Sequence, residues 1–168
     1  MSFSIYADNL TWINDNKDDP EDLCLHGHAV VIIGNHKLEY EATVSATALY
    51  LLKTLTEDHI IFDDNQMLPC CGHFMIPNEE LDTVTILGCP NGIDWSVIHN
   101  KDDSVTLELE DGTKEIVTIT DYEKQVYRFA DVIENFYLSC SPKVMPKDPF
   151  EKNAYIAFWN EWHRRRGK

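Results

Sequence analysis

Basic residues are few in this chain. Its 168 residues include 14 Lys and Arg against 29 Asp and Glu, a net charge of −15. Phosphate binding needs a positive surface, so no nucleic acid is expected as a partner. Long apolar runs are missing too. The longest aliphatic stretch is Ala29 to Ile33, whereas a membrane helix takes about 20 residues. The segment Met1 to Asp8 has no basic stretch followed by an apolar one, so no secretory signal is read there. The closing Arg166-Gly167-Lys168 matches no lipidation motif. Phosphate-loop and dinucleotide fingerprints are absent. The cysteines (Cys24, Cys70, Cys71, Cys89 and Cys140) are odd in number and do not fall at the spacing of a disulfide framework. These absences predict a cytoplasmic protein with reduced thiols and no membrane partner.

Apolar residues make up 43% of the chain and aromatics 11%, enough for a core. The length suits one domain over 1–168, and no repeat interrupts it. Charge is uneven along it. Residues 1–64 hold 12 acids and 3 bases, residues 65–120 hold 10 and 2, and residues 121–168 hold 7 and 9. The acidity therefore lies in the first 120 residues. It marks either an interaction surface or a solvated body matched to a mildly basic helical end.

Phe3 and Ile5 alternate, and Asp8-Asn9 followed by Leu10 and Trp12 predicts a short hairpin. Asn14 to Asp22 reads as an acidic loop; it lacks the Gly and the twelfth-position Glu of a calcium loop. Leu23 to Ile33 and the alternating Leu38, Tyr40, Ala42 and Val44 predict a second hairpin around Gly34-Asn35-His36. Ser45 is placed to cap a helix carrying Ala48, Leu51, Leu52 and Leu55 on one face. Residues 60–82 show no period.

From 83 to 120 every segment alternates, which predicts an antiparallel meander of four short strands. An odd-length loop with Gly112 in the left-handed region would set Val105 opposite Val117. Two helices follow. One is read as capped by Asp121, with Tyr122, Val126, Phe129, Ile133 and Phe136/Tyr137 at helical spacing. The other starts with Asp148 at N-cap, Pro149 next and Glu151 third. Its stripe of Tyr155, Phe158, Trp159 and Trp162 reads as core. The class is α+β: N-terminal strands and the 83–120 meander, packed by one central helix and two C-terminal helices.

Two segments could carry chemistry. In Leu23-Cys24-Leu25-His26-Gly27-His28, strand geometry puts Cys24, His26 and His28 on one face. Cys70, Cys71 and His73 form the second group. Zinc takes Cys and His in fours, and the two groups together could supply them, although no C-x-x-C is present. A thiol nucleophile at Cys70 or Cys71, with His73, His26 or His28 as base and Asp94 orienting it, is the corresponding enzymatic expectation. A small-molecule pocket lined by Trp95, Phe129, Tyr155 and Trp159 is a third. No catalytic motif surrounds any of these residues. The expectation that composition favours is a small acidic module that binds and neutralises a basic protein partner. By physical analogy it resembles inhibitors of nucleic-acid-cleaving toxins, whose carboxylates occupy the surface meant for phosphates.

Overall fold

The Ala29–Ile33 run forms the middle of a three-stranded antiparallel sheet. Its strands are β1 (Phe3–Thr11), β2 (His26–Ile33) and β3 (His36–Ala42), in the order β1-β2-β3. The structure is a computed structural model and describes residues 2–62 and 65–168. Phe3, Ile5, Ala29, Val31 and Ile33 are buried on one face. The N-terminal hairpin expected at Asp8-Asn9 is not formed. Asn9 takes φ +50, and the register slips between Asp8, opposite His28, and Thr11, opposite His26. The turn signal is thus a bulge, because β2 is long enough to pair with both halves of β1.

Helix α1 (Val44–Lys53) is buried from Val44 to Leu52. It lies at the centre, in contact with β2, α2 (Ile119–Ser139) and α3 (Pro149–Arg166). Ser45 does not cap it. Thr43 precedes the helix, and the Ser45 hydroxyl instead accepts the Leu25 N–H at 3.1 Å. The cap of α2 also sits earlier than expected: Thr118 Oγ1 accepts the Asp121 N–H at 3.2 Å. The apolar stripe of α2 is buried at Tyr122, Val126, Phe129, Ile133 and Tyr137. Helix α3 begins as read, with Asp148 accepting the Glu151 N–H at 3.0 Å and Pro149 in first place. Phe158 and Trp162 are buried and Trp159 packs against them, so the aromatic stripe is core.

The remaining strands are short and antiparallel. β4 (Leu68–Pro69) pairs with β7 (Gly92–Ile93), and β5 (Phe74–Pro77) with β6 (Val84–Leu87). β8 (Ser96–His99), β9 (Ser104–Glu108) and β10 (Lys114–Thr118) form a meander. The architecture is α+β, with three helices among several antiparallel sheets. The first strand of the expected four-strand meander, β6, pairs backward with β5 instead. Asn78 closes that hairpin: its Oδ1 accepts the N–H groups of Asp82 and Thr83. The β9–β10 turn is the odd loop, with Gly112 at φ +84 and Val105 opposite Val117. Among the described residues, no helix is long and apolar enough to cross a membrane.

Candidate functional site

The two Cys/His segments do approach each other, but only two of their six candidate ligands converge. His26, at the start of β2, and His73, just before β5, have ring centroids 5.0 Å apart. The third partner is Asp22, from the acidic loop. One ligand atom from each of Asp22, His26 and His73 lies within 4.8 Å of the others.

Cys24 stays apart. It is buried, its Sγ points to the Gly72 carbonyl at 3.8 Å, and burial pushes its thiol up to about 12. His28 faces the outer side of the sheet, where Nδ1 lies 3.1 Å from Asp8 and Nε2 3.6 Å from Glu39. β2 begins only at His26, so Cys24 lies before the strand, outside its alternation.

Cys70 and Cys71 gather with Cys89 rather than with the imidazoles. The Cys89 N–H donates to Cys71 Sγ at 3.2 Å, and the Cys70 N–H donates to the Asn91 carbonyl at 3.0 Å. The Asn91 backbone, and then the neighbouring thiols, hold Cys89 below the usual thiol range. Cys70 is raised, first by its contact with Cys89 and then by burial. All five cysteines are free.

Asp94, noticed in sequence as a possible orienting acid, does hold a histidine, but neither of the expected ones. His59 Nε2 lies 2.7 Å from its Oδ1, and the Met67 N–H donates to the same oxygen at 3.0 Å. Its side chain is 9% exposed. The pairing of Leu68 with Ile93 across β4 and β7 brings Met67 and Asp94 together.

Asp94 also lines a cavity of about 670 Å³ between β3, β7 and the β9–β10 turn. Leu38, Phe62, Ile93 and Leu109 give it apolar walls, and Glu110 and Asp111 add two further carboxylates. Phe62 is 76% exposed and holds φ +71, a conformation rare for a bulky residue. The Thr113 N–H, 2.8 Å from Asp111, holds that carboxyl below the usual carboxylate range. His36 is the titratable base in the lining. Among the described residues, no Lys or Arg forms an ion pair with Asp94, Glu110 or Asp111.

Several of the chain's own cations are engaged elsewhere. Arg165 binds Glu161 at 2.8 Å and also Glu57. Arg166 takes both oxygens of Asp131, at 2.8 and 2.7 Å, and lies over the Tyr127 ring. Lys53 reaches Glu161 at 3.2 Å, and Lys168 bridges Asp131 and Glu134. Sequence reasoning left the cavity unseen, because its lining comes from four separate stretches of chain. The expected pocket around Trp95, Phe129, Tyr155 and Trp159 is different: Trp95, Phe129 and Tyr155 are buried, and Trp159 packs against that core.

No family model, curated protein or solved structure matches the chain.

Proposed function

We propose that this chain is an acidic binding module, and that the cavity beside Asp94 receives a cationic side chain of a basic protein partner. One observation carries the reading: three carboxylates line an apolar cavity that no Lys or Arg of the described chain neutralises. Arginine fits best. Its stem suits the Leu38, Ile93 and Leu109 walls, its guanidinium suits paired carboxylates, and its flat face can lie on the exposed Phe62 ring. The surplus negative charge would speed encounter with such a partner and reject acidic competitors. The partner class this suits is a protein whose own basic site is built for phosphate. Five free thiols suit a reducing compartment, which supports a cytoplasmic reading.

The test titrates the full chain with the capped peptide Gly-Ser-Arg-Gly-Ser, with its citrulline counterpart and with agmatine, followed by backbone amide shifts. The reading expects saturable shifts at residues 92–94 and 109–111 with the arginine peptide and none with citrulline. Glu110→Gln combined with Asp111→Asn should weaken binding about tenfold, and added salt should weaken it further. Equal responses to arginine and citrulline would sink the cation reading. Agmatine binding more tightly than the peptide would make this a site for a free small cation and remove the protein partner.

A further inference from the structure

A second site shares no residue with that cavity. The acidic loop delivers Asp22, the first residue of β2 delivers His26, and the irregular segment before β5 delivers His73. Asp22 is locked in place by its own backbone neighbours. Its Oδ2 accepts the Ile13 N–H at 2.7 Å and its Oδ1 accepts the Cys24 N–H at 3.1 Å. A carboxylate accepts more than one bond per oxygen, so lone pairs remain on both. His26 Nε2 is buried and has no hydrogen-bond partner. A buried ring nitrogen in that state is costly unless something else satisfies it.

We propose that Asp22, His26 and His73 bind one zinc ion. Two imidazoles and a carboxylate are a donor set zinc takes in sites that keep a fourth position open. Asp22 and His73 also line a cavity of about 320 Å³, together with Phe74, Phe150 and Tyr155. Zinc–nitrogen bonds of about 2.0–2.1 Å require the three ligand atoms to draw closer than 4.8 Å. His73 can make that adjustment, since its side chain is exposed, while His26 is half-buried and Asp22 is hydrogen-bonded. Lys143 is the cation that acts on Asp22, but its Nζ is drawn onto the Trp12 ring at 3.0 Å and donates to the Asp19 carbonyl at 2.6 Å. Cys24 stays out, its buried Sγ turned to the Gly72 carbonyl at 3.8 Å, so the ligand set is nitrogen and oxygen alone.

The test uses the full chain, stripped with chelator and titrated with zinc sulfate by calorimetry, with cobalt(II) absorption as a second readout. We expect about one equivalent bound, and an affinity loss of about 100-fold in His73→Ala and His26→Ala. His73 is exposed, so that variant keeps its fold, which far-ultraviolet circular dichroism checks. His28→Ala should bind as the wild type does. The cobalt spectrum should lack the intense near-ultraviolet band of a thiolate ligand. Binding of less than about a tenth of an equivalent would overturn the assignment. So would binding that survives both histidine variants and disappears when Cys70, Cys71 and Cys89 are changed to serine, since the thiol cluster would then be the site.

Discussion

Glu161 shows how a single charge can organise this molecule. Its side chain is fully buried on α3. One oxygen accepts the Val84 N–H at 2.8 Å, and the other faces Lys53 at 3.2 Å and Arg165 at 2.8 Å. The residue therefore ties α3 to β6, to the end of α1 and to its own last turn. Removing one partner from a buried ion network leaves the others uncompensated, which typically costs about 3–5 kcal/mol. Glu161→Ala is expected to lose stability in that range by urea unfolding. Glu161→Gln should lose less, because the amide oxygen can still accept from Val84. Equal losses in the two variants would show that the charge, not the acceptor, holds the contact. In the sequence this glutamate is one of 29 acids, and nothing local sets it apart.

At the scale of elements, the helix starts show what local chemistry can and cannot specify. Asp148-Pro149-Phe150-Glu151 makes the cap read from its residues, since each partner lies within one turn. The start of α2 moved from Asp121 to Thr118 because two capping residues compete three positions apart. The threonine accepts the Asp121 N–H, and its hydroxyl donates to the Asp121 carboxylate at 2.9 Å, so both are used in one motif. Thr118→Ala and Asp148→Ala should each cost about 1 kcal/mol. Asp121→Ala should cost less than Thr118→Ala if Thr118 is the cap, and chemical denaturation of the three variants decides it. The Gly72-His73 segment depends on packing rather than local signal. A Cβ at Gly72 would stand 2.6 Å from the Ala46 side chain, so only glycine lets this segment lie against α1.

The whole molecule joins an acidic body to a basic helical end. The clasp between α2 and α3 consists of Arg166 and Lys168 on Asp131, with Lys168 also reaching Glu134. The Arg166 hydrogen bond, aided by Lys168, holds Asp131 below the usual carboxylate range. A carboxyl depressed in the folded state adds stability above its unfolded value of about 3.9, and that stability is lost as pH falls through the folded value. Protonation across the surface also relieves the mutual repulsion of the acids over the same window. Comparing wild type with Asp131→Asn cancels that shared effect. The variant should be less stable at pH 7, by under about 1 kcal/mol because the pair is partly exposed. As pH falls below the folded value of Asp131 the two should converge. A gap that stays constant down to acid pH would mean that the contact is steric rather than ionic.

Much of the outline was fixed by short-range pattern. Helical spacing marked the buried stripes of α2 and α3, alternation marked the strands outside 60–82, and the odd loop at Gly112 set Val105 against Val117. Each of these depends on neighbours a few residues apart, which a linear chain displays directly. Which loops meet was decided by the fold. Burial of α1 and the β4–β7 pairing carried Cys70 and Cys71 to Cys89, while Asp22 joined His26 and His73. Alternation tells which side of a strand a residue occupies, but contacts between separate stretches are set by how the elements stack. The carboxylates of the large cavity and the orphaned His26 nitrogen could therefore be found only in three dimensions.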